Sequence, residues 1–459
     1  MDNMEPTGRA RSSPGARKMA EATPDSRNRY VDLIRVVSIG VVVLGHWTMA
    51  VLGHRNGTFT GSNLLELNPD LQILTWVFQV MPLFFIVGGF TNGGSWASAH
   101  GRGTRYADWL RAKSARLIRP AVWFVAFWTL IPVVGVATGI LPASVARTGG
   151  EEVALPLWFL AVYTLAVAAV PALYTVHGRL GGARVLSALV IGAFVVDNLR
   201  FGADVPVVGA LNYALVWLAL LELGFLWREG AFAGQPFLPW LMMGGGLAAL
   251  AVMVRWFDYP VSMIGLTHAP RSNAQPPSLA LVALGIWQFG ATLLFQAPAN
   301  RWLQRPRAWL AVVVANSMVM TFYLWNMSAV VLAAVLLFPT GLAPQPEALS
   351  NAWWLLRPAW WLVCAICILP FLFGFRWAER PVEAPPPSRA RWPGVAVAIA
   401  GTLAAGAGFA LLAARAFPVP GSIVVIPTIG VALVAIGALL IHVDPIAPLR
   451  RRTGAATGY

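Results

Sequence analysis

The chain has 459 residues, of which 58% are hydrophobic and only 11% charged, and its mean hydropathy is +0.66. Ordinary soluble domains carry about 25% charged residues, so this composition excludes a soluble globular protein and predicts an all-α, polytopic transmembrane helical bundle. The formal net charge of +14 is almost all arginine, with Lys18 and Lys113 the only lysines, and the arginines sit between apolar segments rather than on one soluble surface; this speaks for membrane topology and against a nucleic-acid partner.

Residues 1–29 are polar, basic and without apolar periodicity, and read as a disordered cytoplasmic tail. The first apolar stretch follows that long tail and exceeds the length of a signal-peptide core, so no cleaved leader is expected. Hydrophobic spans are predicted at about 31–53, 71–93, 120–142, 155–176, 185–200, 209–227, 237–256, 279–298, 310–338, 356–375, 393–416 and 422–443, twelve crossings in all. Arginine-rich loops, such as the one holding Arg102, Arg105, Arg111, Lys113, Arg116 and Arg119, alternate with loops holding Glu66, Asp70, Glu151, Glu152, Asp204 and Glu347. That bias places both termini in the cytoplasm. The proline-rich stretch at 382–392 reads as a semi-rigid linker. The last two spans, 393–443, contain hardly any polar side chain and read as an appended hairpin packed through small residues, followed by a basic cytoplasmic tail at 444–459.

Asp32, Arg35 and His46 form the most informative constellation. Eleven helical residues turn through about 1100°, so Arg35 and His46 point within about 20° of each other and lie about 16 Å apart along the axis. Asp32 falls one turn below Arg35 on nearly the same stripe. Ionisable groups are costly in hydrocarbon and mark bundle interiors or wet cavities. Neutral imidazole accepts a proton, and a neutral histidine in a polar pocket is what activation of a hydroxyl requires. Arg116 and Arg119, one turn apart at the mouth of the third span beside Lys113, suit phosphate oxygens, which guanidinium forks grip bidentately; anionic lipid headgroups would satisfy them too.

Other polar residues carry less. The ninth span holds Asn316, Ser317, Thr321, Tyr323, Trp325 and Asn326, a density that suits a wet wall or interhelical hydrogen bonds. Glu222 is placed to neutralise Arg35. Asp197, Arg255, Asp258 and His268 fall near the outer face, where they can meet an external substrate. Cys364 and Cys367 sit in an apolar run without a second ligand pair, which reads as structural filler rather than a metal site.

These residues have a familiar order. Arg29-Tyr30-Val31-Asp32-Leu33-Ile34-Arg35 leading to His46 resembles the opening helix of the acyltransferase-3 family of integral membrane acyltransferases, in which an arginine and a histidine of that helix are thought essential. Met81-Pro82-Leu83-Phe84-Phe85-Ile86-Val87-Gly88-Gly89-Phe90 is similar to its second-helix phrase, where serine is usual in place of Gly88. Arg116-Leu117-Ile118-Arg119-Pro120 resembles its third-helix entrance, Leu157-Trp158-Phe159-Leu160 its fourth-helix phrase, Asn316-Ser317 through Tyr323-Leu324-Trp325 its late helix, and Glu379-Arg380-Pro381 its usual end. The resemblance spans residues 29–381, ten helices, and so marks 30–381 as a membrane acyltransferase domain. The family often has histidine after the Tyr-Leu-Trp phrase where this chain has Asn326. Asparagine hydrogen-bonds but shuttles no proton, so Asn326 is expected to be substrate-side or structural and His46 to act alone.

The resemblance implies a bacterial cytoplasmic-membrane enzyme that moves an acyl group, often acetyl, from acyl-CoA to a hydroxyl of a sugar, glycoconjugate or exported small molecule. Acyl-CoA would be a co-substrate, with no tightly bound cofactor and no metal, and membrane lipids would surround the bundle. His46 would deprotonate the acceptor, with Arg35 and Asp32 beside the donor path. Arg116, Arg119 and Lys113 would bind the donor, and Asn326, Tyr323 and Asp258 would face the acceptor. The rival readings are a transporter or exporter of lipid-linked or polar small molecules and, with less behind it, a membrane scaffold without turnover.

Overall fold

Asn28 starts the first helix. Its side-chain oxygen accepts hydrogen bonds from the Tyr30 and Val31 amides at 3.1 and 3.2 Å, an N-cap for donors that the helix leaves open. The structure, a computed structural model, describes residues 28–266, 269–380, 392–421 and 425–443. The expected N-terminal tail, most of the proline-rich linker, the C-terminal tail and His268 lie outside the described residues.

The helices follow in chain order: α1 (Arg29–Met49), α2 (Met81–Gly101), α3 (Tyr106–Ala137), α4 (Ala143–Ala154), α5 (Leu157–Leu180), α6 (Gly182–Asp197), α7 (Asn212–Arg228), α8 (Leu238–Trp256), α9 (Leu279–Leu303), α10 (Pro306–Asn316), α11 (Val319–Leu337), α12 (Asn351–Cys367), α13 (Leu369–Phe375), α14 (Trp392–Arg415) and α15 (Val425–Leu440). Among the described residues eleven helical segments are long and apolar enough to cross a membrane, and the twelfth expected span, Val425–Leu440, is an apolar helix of 16 residues. The polytopic helical bundle predicted from composition is therefore the fold. Helix α1 is its hub, with α2, α9, α10, α11 and α12 packed around it.

At the start of α1, Arg29 Nη1 donates to the Leu303 carbonyl at the end of α9, 3.2 Å away. At its other end, Arg357 Nη1 near the start of α12 donates to the Trp47 carbonyl at 3.4 Å. We call these the near and far faces. Small residues set a close helix contact: a Cβ on Gly89 of α2 would collide with the Leu221 carbonyl of α7, and one on Gly224 would collide with the Ile86 carbonyl in return. Only glycine lets these two backbones meet.

Three features differ from the predicted layout. The first span ends at Met49 rather than near 53, and an antiparallel hairpin follows, β1 (Ala50–Arg55) with β2 (Thr58–Asn63). Its two-residue turn, Asn56-Gly57, has φ of 52° and 77°, the left-handed pair that a tight hairpin turn demands. His46 consequently sits in the last turn of α1, about 26 Å from Arg29. That is close to the far face, well past the middle of hydrocarbon about 30 Å thick.

The predicted 310–338 span is two helices, α10 and α11, broken at Ser317 and Met318. Asn316 and Ser317 at the break are the polar signal there, and the long apolar runs on either side of them masked it in the hydropathy. The amides opened there are satisfied from a distance: Glu379 accepts from the Met320 amide at 3.2 Å and from the Thr321 amide and hydroxyl.

The hairpin α14–α15, expected as an appendage, is built into the bundle. Helix α14 lies against α3 and α5, Arg111 Nη2 donates to the Gly394 carbonyl at 3.0 Å, and the hydroxyls of Ser114 and Thr402 meet at 3.2 Å. The small residues through which the hairpin was expected to pack are what permit this close seat.

Candidate active site

Two hydrogen-bonded rungs join α1 to the broken helix beside it. On the near side, Asn316 Nδ2, the last residue of α10, donates to Asp32 Oδ1 at 2.8 Å. On the far side, His46 Nδ1 lies 3.0 Å from Asn326 Oδ1 on α11. The second rung defines which tautomer a neutral ring adopts. Asn326 Nδ2 donates to the Tyr323 carbonyl, which can only accept, so Oδ1 is the atom turned to His46. Because Oδ1 also only accepts, Nδ1 of the neutral imidazole carries the proton and Nε2 carries the lone pair. Nε2 makes no hydrogen bond among the described residues, and the side chain is half-buried. Trp47 Nε1 donates to the Asn326 carbonyl at 2.9 Å, locking the same residue from its other side. The result is an oriented imidazole whose free nitrogen can take a proton.

The near-side rung leads to positive charge. Arg35 Nη1 stands 3.7 Å from Asp32 Oδ1, with the arginine side chain 23% exposed. Lys113 of α3 lies within electrostatic reach of both Arg35 and Arg116, and the buried Tyr163 hydroxyl of α5 lies within reach of the same two guanidinium groups. Asn92 Nδ2 of α2 donates to that hydroxyl at 3.1 Å. Four helices thus converge on a cationic cluster at the near face. Gly88, where the family usually has serine, has a local explanation: a Cβ there would stand 2.9 Å from the Tyr163 hydroxyl oxygen. The tyrosine occupies the space a side chain would need.

Not every candidate joins these two groups. Arg116 is exposed and within electrostatic reach of Glu379, whereas Arg119 is buried and its Nη1 donates to the Arg380 carbonyl at 3.3 Å. The pair one turn apart therefore divides, Arg119 tying α3 to the segment whose Glu379 caps α11. Tyr323 is buried and its hydroxyl is committed to the Pro156 carbonyl at 2.8 Å, so its contribution is the carbonyl that orients Asn326. Asp258 is exposed on a distant loop, where its carbonyl accepts from Arg271, which also reaches the Phe201 carbonyl. Glu222 does not approach Arg35 as expected. It hydrogen-bonds His177 Nδ1, while His177 Nε2 lies 2.8 Å from Glu229, closing α5 against α7. Asp197 is a structural node, accepting from Asn212, Tyr259 and the Leu279 amide.

A family model described as an acyltransferase domain matches residues 28–369, well over half of the chain. The chain belongs to the acyltransferase-3 family. This acyltransferase has no match among curated proteins or solved structures. The matched stretch holds α1 to α12, hence both rungs and the cationic cluster, and ends at Leu369 before α14 and α15 begin. Among the described residues no three His, Cys, Asp or Glu side chains gather as a metal-ligand set.

Sequence reasoning missed Trp47, Asn92, Tyr163 and Arg357. Arg357 carries a visible signal, being a lone arginine among Trp353, Trp354, Trp360 and Trp361. It is buried over the Trp353 ring at 3.4 Å and faces the C-terminal carbonyls of α1, where a cation offsets the helix dipole. The others are ordinary membrane-helix residues until the helices are assembled.

Proposed function

We propose that this membrane acyltransferase moves an acyl group, acetyl in the simplest case, from acyl-CoA at the near, cytoplasmic face of a bacterial cytoplasmic membrane to a hydroxyl of a sugar, glycoconjugate or exported small molecule reaching His46 from the far face. The observation that carries this reading is the imidazole whose Nδ1 proton is held by Asn326 while Nε2 remains open, on the same helix that brings Arg35 to Lys113 and Arg116.

The chemistry follows from that geometry. Nε2 takes the proton of the acceptor hydroxyl as its oxygen attacks the thioester carbonyl carbon. The carbon–sulfur bond then breaks, the sulfur leaves with the electron pair, and the imidazolium returns the proton to it, giving the ester and free CoA. Arg35 and His46 lie about 16 Å apart along α1, so the two cannot serve one reacting atom. Arg35, with Lys113 and Arg116, suits the donor's phosphates, and the thin arm of CoA suits the distance between them and His46.

The test uses membrane vesicles that carry the native envelope and an acyl-CoA labelled in its acyl group. The wild type transfers label to a base-labile ester in the envelope fraction. H46A, inserted at wild-type levels, does not. Transfer that survives in H46A would remove the general-base reading of His46, and a wild type that transfers no label would leave movement of a polar molecule, without acyl transfer, as the better account.

A further inference from the structure

A second feature at the near face is untouched by that chemistry. Where α2 turns into α3, a cavity of about 600 Å³ opens, within the size range of small-molecule sites. Trp96, His100, Arg105 and Tyr106 line it, and Val395 of the embedded hairpin completes its wall. Trp96 is the centre of a ring cluster, 5.3 Å from His100 at a 30° tilt, 6.4 Å from Tyr106 and 5.4 Å from Trp109 edge-on.

The cluster continues into the bundle. Lys113 Nζ stands 5.8 Å from the Trp109 ring centre, and Lys113 is the residue within electrostatic reach of Arg35 and Arg116. Cavity, Trp109, Lys113 and the cationic cluster therefore form one uninterrupted run up α3. From Arg105 to Arg116 that run rises about 16 Å. Aromatic and imidazole rings offer stacking faces to a planar base, the commonest way proteins hold bases without reading their sequence.

The charge at the cavity is positive despite a nearby carboxylate. Asp108 lies between Arg105, at 3.2 Å, and Arg111, at 3.7 Å, so the three side chains carry one net positive charge. The Arg105 side chain is 39% exposed and bonds Asp108 through Nε; its two terminal nitrogens make no hydrogen bond among the described residues. A guanidinium held by one edge and open at the other is suited to a phosphate.

We infer that this cavity receives the 3′-phosphoadenosine end of the CoA donor, the base against Trp96, His100 and Tyr106 and the 3′-phosphate on Arg105. This rests on acyl-CoA being the donor. The order of groups along the ligand (base and 3′-phosphate, diphosphate, thin arm, thioester) then matches the order of features along the protein: cavity, cationic cluster, α1, His46. It also gives the hairpin outside the family match a part in donor recognition, through Val395.

The test is equilibrium binding of adenosine 3′,5′-bisphosphate to the full-length protein in phosphatidylcholine nanodiscs, where anionic lipid cannot compete. The wild type binds the bisphosphate, CoA displaces it, and dephospho-CoA displaces it less well. R105Q, folded by its unchanged unfolding midpoint, binds the bisphosphate about tenfold more weakly and no longer distinguishes CoA from dephospho-CoA. H100A, also at the cavity, weakens binding of the base without altering that distinction. Bisphosphate binding that is absent from the wild type, or equal in R105Q, overturns the inference. So does an R105Q whose only change, read in parallel nanodiscs that contain phosphatidylglycerol, is poorer retention of that lipid, which makes the cavity a lipid-headgroup site. Binding is read without turnover, so acyl transfer with no role for Arg105 defeats this inference alone, and bisphosphate binding without acyl transfer defeats the proposed function alone.

Discussion

The two ends of α1 are built from different materials. At the near end Asp32 and Arg35 meet charged and polar groups: Asn316, Lys113, and through Lys113 the exposed Arg116. At the far end the His46 ring and the Trp47 indole meet the neutral side chain and carbonyl of Asn326, and the nearby guanidinium of Arg357 is turned to the Trp47 backbone carbonyl. Charge gathers where a charged donor would arrive, and an uncharged, oriented ring stands where a proton would move. One rigid helix holds the two about 16 Å apart, so damage to one end should leave the other working.

The largest effect expected is at the far end. H46A should lower kcat for acyl transfer by about 10²–10⁴-fold, the range for loss of a general base, with CoA binding unchanged by equilibrium dialysis. A matching loss of CoA affinity would break the division between the ends. Next comes the near end. R35A and R116A should each weaken CoA binding by about 10–100-fold, as expected for a lost charge-assisted hydrogen bond, while kcat at saturating donor stays within a few-fold of wild type. N326A follows, with kcat about tenfold lower for the loss of one hydrogen bond and the donor KM unchanged. If Asn326 served only to pack α11, N326A would lower the unfolding temperature without separating kcat from KM. The smallest effect is that of salt. Raising ionic strength should increase the donor KM a few-fold, through screening of the near-face charges, and leave kcat alone.

How much of this was legible in the sequence differs between the ends. The spans could be read because crossing a membrane demands about 20 apolar residues whatever their partners are. The Asp32, Arg35, His46 stripe was legible for a similar reason, since one helix fixes the relative directions of its own side chains. What the sequence hid was whatever depends on a second helix. Asn326 looked like the loss of a catalytic histidine, and it becomes an orienting partner only when α11 lies beside α1. Arg116 and Arg119 share a helical face to a first approximation, yet Arg119 is drawn to the Arg380 carbonyl, a contact 261 positions away in the chain. Glu222 was matched to Arg35 by depth alone, whereas His177 on the adjoining helix claims it. The hairpin at 50–63 is a different case. Its Asn56-Gly57 signal was present, and the apolar Val51 and Leu52 before it invited an extension of the helix instead.

The central claim, that His46 Nε2 removes the acceptor's proton, is tested most directly by the pH dependence of kcat/KM for the acceptor at saturating acyl-CoA. The wild-type profile should fall on the acid side as the imidazole is protonated, and the residual activity of H46Q should show no such limb. An H46Q profile that keeps the same acid limb, or an H46Q rate equal to wild type, would contradict the account.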